Sequence, residues 1–194
     1  MGAREEILAK VRKAVAEAPE VEIVRSYRTE PHVDDVVGLF AERVGDYRAI
    51  VHVIPEAELS AKLAELTAGR DMIIPEGFAW AVPTGASPDG RYWDDLDAAD
   101  GVITECAVAI AETGTIVLDH GPGQGIRAQT LVPDHHVCVV RADQIVASVP
   151  EAVARLDPAR PLTWISGPSA TRDIELNRVE GVHGPRTLEV IICT

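Results

Sequence analysis

The sequence predicts an α/β domain: a mainly parallel sheet flanked by helices, with a helical segment in front of it. Three observations predict this. Short apolar runs rich in β-branched residues alternate with stretches of helical periodicity, which implies right-handed βαβ crossovers. The first 45 residues carry helical patterning and no strand. The chain has 194 residues, the length of one such domain rather than of two small ones. The expected division is a helical arm or cap over residues 1–45 and an α/β domain over residues 46–194.

Each element has its own signal. Ile7, Leu8, Val11 and Val15 recur at helical spacing within residues 3–18, and Pro19 stops that helix. A second helix is expected over Val33–Val44, with Val36, Val37, Leu39 and Phe40 on one side. Ala49–Ile54, bounded by Pro55, reads as a buried strand. Ala57–Thr67 returns to helix and closes at Gly69. Asp71–Pro75 reads as a second strand. Pro83, Gly85, Pro88 and Gly90 then break the pattern. Residues 76–100 are therefore expected as a long loop with a short acidic helix near Trp93–Asp97. Further strands are expected near 101–104, 107–111, 115–118, 136–140, 162–165 and 188–192, and a helix over Pro150–Leu156.

Composition excludes several classes of function. A formal net charge of −13 argues against nonspecific binding to nucleic acid or anionic lipid, which needs Lys and Arg in excess. It leaves room for a local basic site that takes a small anion. The longest apolar runs fall far short of the roughly 20 residues that span a bilayer. The N-terminal stretch has no apolar core of a secretory signal. Cys106, Cys138 and Cys193 are odd in number and widely spaced, which fits neither a disulfide framework nor a zinc site. They are expected as small buried hydrophobes, and the cytoplasm as the compartment. No cofactor is expected on this chain, and a homodimer is the default assembly.

The chemistry is expected in three glycine-rich turns of the second half. The first runs Ala111-Glu-Thr-Gly-Thr115 and continues to Gly121-Pro-Gly-Gln-Gly125 and Arg127. The second is Ser166–Glu175, and the third Gly181–Arg186. In open α/β sheets ligands bind outside the carboxyl ends of the strands, where such turns gather. Glycine lets the backbone approach a ligand, and successive N–H groups form a nest for an anion. Thr113, Gly114, Thr115, Gly123, Gln124, Gly125, Gly167, Ser169, Thr171, Asp173 and Gly184 are the expected binding residues. Arg127, Arg172 and Arg186 offer bidentate donors to a carboxylate or phosphate. If Arg172–Arg178 is helical, Ser169 or Thr171 stands near its start.

Glu112 and His183 are the catalytic candidates. A carboxylate at a strand end beside a glycine turn suits a general base or a nucleophile. The alternative is a carboxylate satisfied by backbone amides at a hairpin. His183, between glycine and Pro185, is placed to titrate near neutral pH; the alternative is a hydrogen bond that fastens the turn. No metal is expected. His135 and His136 are adjacent, so a strand points them to opposite faces, and His120, Asp119 and His183 lack ligand spacing.

Taken together, Ala109-Ile-Ala-Glu-Thr-Gly-Thr115, Gly121-Pro-Gly-Gln-Gly125, Gly167–Glu175 and Gly181–Arg186 resemble the LUD-domain family. The match is densest from about residue 101 to the C-terminus. The sequence departs from the family pattern at Arg172, where Ala is commoner, and at His120, where a small or polar residue is commoner. The resemblance implies a fold similar to the sugar-phosphate isomerase and CoA-transferase type, with a LUD-type domain over residues 46–194. It implies the cluster-free subunit of a complex that oxidises L-lactate to pyruvate, with iron–sulfur clusters carried by the partner proteins. Glu112-Thr-Gly114 is similar in kind to the nucleophilic glutamate of CoA-transferases, at the level of fold analogy. Two other readings stand beside it: an independent enzyme on a phosphorylated sugar or acyl-CoA using Glu112, and a regulatory or scaffolding module without chemistry.

Overall fold

The protein is described from a computed structural model covering all residues except 1, 17, 20, 27–32, 84–85, 88–92, 172–178 and 182. In chain order the elements are α1 (Ala3–Val15), α2 (Val36–Asp46), β1 (Ile50–Ile54), α3 (Leu59–Thr67), β2 (Met72–Ile73) and β3 (Ala86–Ser87). Then come α4 (Trp93–Ala98), β4 (Gly101–Thr104), β5 (Val108–Ile110), β6 (Thr115–Leu118), α5 (Arg127–Leu131) and β7 (His135–Arg141). The chain ends with β8 (Ile145–Val146), α6 (Val149–Arg155), β9 (Thr163–Ile165), β10 (Ala170–Thr171), β11 (Val179–Glu180) and β12 (Thr187–Cys193).

The main sheet has the order β1-β12-β7-β4-β2-β3, and all its pairings are parallel. Its central strands β7 and β12 are buried along nearly their whole length, polar His135, His136 and Glu189 included, as a covered parallel sheet requires. One face carries Phe40 and Val44 of α2 against Cys138, Val140, Val190 and Ile192. The other carries Leu59 and Leu63 of α3 against Val137, Val139 and Ile191. Asp35 starts α2 by accepting from the Gly38 N–H at 2.8 Å. A Cβ at position 38 would lie 2.2 Å from the Asp35 carboxylate, so the cap and the glycine require each other.

Beside the mainly parallel sheet that was expected, the described residues form a four-stranded second sheet and the two-stranded β10–β11 ribbon. Residues 108–118 leave the main sheet as an antiparallel hairpin, β5–β6, in a second sheet of order β8-β5-β6-β9. Periodicity could not reveal this, because both strands of the hairpin are buried on both faces and read like parallel-sheet strands. Five further elements escaped the pattern: the two-residue β3, β8, β10 and β11, and the single-turn-scale α5. Of the two helices in the expected arm or cap, α2 is part of the core. α1 buries no residue and leaves Ile7, Val11 and Val15 exposed. The expected helix over 172–178 lies outside the described residues; the strands that flank it, β10 and β11, pair antiparallel.

Candidate functional site

A cavity of about 300 Å³ opens where the two sheets meet. His136 of β7 and Leu188 of β12 form its floor, and the register places them side by side. Each is the second residue of its strand, so the cavity lies at the amino ends of β7 and β12. The cavity is thus at the carboxyl end of β9 but opposite to the carboxyl ends of β7 and β12. There, past β4, the Gly121–Gly125 turn packs on the protein itself: Glu105 N–H donates to the Gly123 carbonyl at 2.8 Å. The Glu105 carboxylate accepts from Ala79 N–H at 2.8 Å and pairs with Arg141 at 3.4 Å.

The cavity walls come from sequence-distant segments. β9 and the turn after it contribute Thr163 to Ser169; α5 contributes Arg127, Thr130 and Leu131; His183, Gly184 and Pro185 close one side. Three hydrogen bonds fasten the second and third glycine turns. Ser169 N–H donates to the Pro185 carbonyl at 2.8 Å, Gly181 N–H to the Ser169 carbonyl at 3.1 Å, and His183 N–H to Ser169 Oγ at 2.9 Å. Of the expected residues the cavity therefore gathers Arg127, Gly167, Ser169, His183 and Gly184. Arg127 is exposed at the start of α5, and its side chain has no hydrogen-bond or ion-pair partner among the described residues.

Other expected residues have different places. Glu112 and Thr113 lie in the β5–β6 turn, outside the cavity lining, and Glu112 N–H donates to the Ala147 carbonyl at 3.1 Å. A chain of hydroxyls leads from that turn to the cavity: Thr113 Oγ1 to Thr115 Oγ1 at 2.8 Å, then Thr115 Oγ1 to Ser166 Oγ at 2.8 Å. Gly114 is left-handed, with φ 57°, and a Cβ there would meet the Arg43 backbone at 2.7 Å. Gly167 has φ 88°, and its Cβ would meet Tyr47 at 2.6 Å. Both glycines admit the end of α2, where the sequence suggested room for an anion. Gln124 holds the Asp119 N–H and carboxylate at 2.7 Å each. A Cβ on Gly123 would strike Glu105, and one on Gly125 would strike Gln129. Arg186 clasps Asp134 through Nε at 2.8 and 2.9 Å, and this contact holds the Asp134 carboxyl below the usual carboxylate range. Thr171 belongs to β10, and Asp173 lies outside the described residues.

The histidines divide by environment. His120, at φ 56°, donates from Nδ1 to the Gly125 carbonyl at 2.8 Å and meets Thr163 Oγ1 with Nε2 at 2.9 Å. Asp119 pairs with Arg160 at 2.7 Å. Both groups are thus committed to the protein rather than to an ion, and no cluster of three or more metal-ligating side chains occurs among the described residues. His136 is 1% exposed and meets Thr104 Oγ1 through Nε2 at 2.7 Å. Burial, with the adjacent His135, pushes its pKa down to about 4, so the ring is neutral at physiological pH. Adjacency to His135 set His136 aside as a metal ligand, and nothing local showed that its face of β7 meets a cavity. The three cysteines are free and buried, and contact with Cys138 together with burial pushes the Cys106 thiol well up.

With its flanking helices and this cavity, the molecule is an α/β protein whose mainly parallel sheet is extended by a smaller mixed one. The LUD domain matches residues 91–193, more than half of the chain. A lactate utilization protein C of Deinococcus radiodurans is 48% identical over 168 residues, covering 81% of this chain and 79% of that protein. One from a Geobacillus species is 33% identical over 118 residues, 56% of this chain and 48% of that protein. The crystal structure of a DUF162 family protein from D. radiodurans superposes with a TM-score of 0.70 at 40% identity, covering 82% of this chain and 96% of that one. The chain belongs to the LUD-domain family. It spans most of the first relative's length and about half of the second's. No helix among the described residues is long and apolar enough to cross a membrane.

Proposed function

We propose that the chain serves lactate utilisation, as the cluster-free subunit that works with iron–sulfur partner proteins, and that its cavity holds a small carboxylate such as L-lactate or pyruvate. The names of the relatives support the metabolic role. One observation carries the site: Arg127 stands at a cavity whose walls are two of the three singled-out turns. An otherwise unengaged guanidinium is a bidentate donor for a carboxylate. The hydroxyls of Ser166 and Ser169 supply neutral donors beside it, and the apolar Leu131, Ile165 and Leu188 suit a short hydrocarbon chain. His183, exposed at the rim, is the group in reach of solvent that takes or gives a proton. Glu112 handles protons at one remove, next to the hydroxyl chain that ends at Ser166. Iron–sulfur clusters in the partner proteins would supply the acceptor for the two electrons removed from lactate.

The test is lactate-dependent dye reduction by the iron–sulfur partners with and without this chain. The expected result is a requirement for the chain, and a loss of at least about tenfold with Arg127→Ala, the scale of one charge-assisted hydrogen bond. Glu112→Gln in a folded protein is expected to lower the rate as well. Activity that persists without the chain overturns the reading. Stabilisation by CoA, a thioester or a sugar phosphate, with none by lactate or pyruvate, would favour an independent enzyme instead.

A further inference from the structure

His136 is buried to 1% exposure on the cavity floor, and only one of its ring nitrogens has a protein partner among the described residues. Nε2 meets Thr104 Oγ1 at 2.7 Å, while Thr104 is not part of the cavity lining. The ring therefore stands between Thr104 and the cavity. Buried ring nitrogens are normally paired, because an unmet one loses its hydrogen bonds to water without replacement. The other histidines at this end of the sheet obey the rule: His120 engages Gly125 and Thr163, and His135 engages Arg70 and Glu189. On the floor, Leu188 beside His136 offers nothing polar.

We infer that His136 is a specificity-determining residue, whose Nδ1 recognises an uncharged oxygen on the ligand, the 2-hydroxyl or 2-oxo group of a short carboxylic acid. The inference rests on the reading of the cavity as a small-carboxylate site. Arg127 and His136 divide the work by charge. The exposed guanidinium takes the carboxylate, and the buried neutral imidazole, which carries no charge to attract a second anion, takes the neutral oxygen. A ligand that lacks this oxygen leaves the buried Nδ1 without that partner, which is the situation in which polar pockets discriminate strongly.

The test is a set of titrations of the full chain with L-lactate, pyruvate and propionate, followed by calorimetry. Propionate keeps the carboxylate and the carbon count and lacks the second oxygen. The expected result is that L-lactate or pyruvate binds at least about tenfold more tightly than propionate, and that the ratio collapses toward one in His136→Phe. A nitrogen-15 spectrum of the wild-type histidine rings gives a reading that needs no folded variant. The Nδ1 resonance of His136 shifts with lactate or pyruvate and stays in place with propionate. Equal affinities for all three acids, all lost in Arg127→Ala, overturn the role of His136 and keep the carboxylate site. Failure of every acid to bind overturns both.

Discussion

His135 and His136 leave the same strand on opposite faces, and the two faces treat an imidazole differently. On one face His135 belongs to a closed network. Arg70 Nη1 lies 2.9 Å from His135 Nδ1, and arginine can only donate, so Nδ1 accepts and the ring is neutral. Nε2 then donates to Glu189 Oε2 at 3.0 Å, and His52 Nε2 meets the other carboxylate oxygen at 2.6 Å. Burial pushes the His135 pKa down, in agreement with that tautomer. On the other face His136 has one partner and a cavity. The difference teaches that a polar residue in a covered sheet belongs to structure when neighbouring strands complete its hydrogen bonds. It becomes available for binding when they do not.

The strongest break of this comparison is on the closed side. Glu189 is 6% exposed and holds two imidazoles, so Glu189→Ala strands both and is expected to cost about 3 kcal/mol in chemical denaturation, the scale of buried polar groups left without their partner. A cost below about 1 kcal/mol would show that the network is not what holds β1, β12 and β7 in register.

Acid probes both faces at once. The His136 value is near 4 in the folded chain against about 6.5 when unfolded, so the unfolded chain takes up the proton first as pH falls. Stability is full above about pH 6.5 and is lost progressively down to about pH 4, by about 3 kcal/mol from this residue. His135 is shifted in the same direction and adds to the loss. Urea unfolding between pH 7.5 and 4 measures the slope, and His136→Phe is expected to flatten it. An unchanged slope would mean that His136 takes up its proton in the folded state as readily as in the unfolded one.

Gly114→Ala sharpens the contrast between turns that receive the protein and turns that face the cavity. A Cβ at 2.7 Å from the Arg43 backbone, on a residue at φ 57°, is expected to cost about 2 kcal/mol. Acid binding by the folded variant should be retained. Lost binding with intact stability would return the β5–β6 turn to the ligand. The smallest effect belongs to Arg186→Ala. Its contact with Asp134 is well aligned but exposed on both sides, and its removal is expected to cost under about 1 kcal/mol in thermal unfolding.

Much of the fold was legible in the sequence because it follows from local periodicity. β1, α3, β4, β7 and β12 fall close to the expected runs, since a strand buried on both faces is apolar throughout and a core helix repeats its apolar residues every turn. The candidate site was legible in part. Glycine and proline marked Gly167, Ser169, His183 and Gly184, which do meet at one cavity with Arg127. The same marking at Gly114 and Gly123 led elsewhere, because a glycine signals close approach without saying what approaches.

The sequence by itself determined the α/β class, the family, the helices and central strands, and the turns from which a site could be made. Tertiary structure alone decided that residues 108–118 join a second sheet, that the cavity opens at the amino ends of β7 and β12, and that His136 rather than His135 faces it. The physical reason is range. Periodicity and turn chemistry are set by residues a few positions apart. The partner of a buried polar group is chosen across strands, as when Glu189 reaches His135 across 54 positions and His52 across 137.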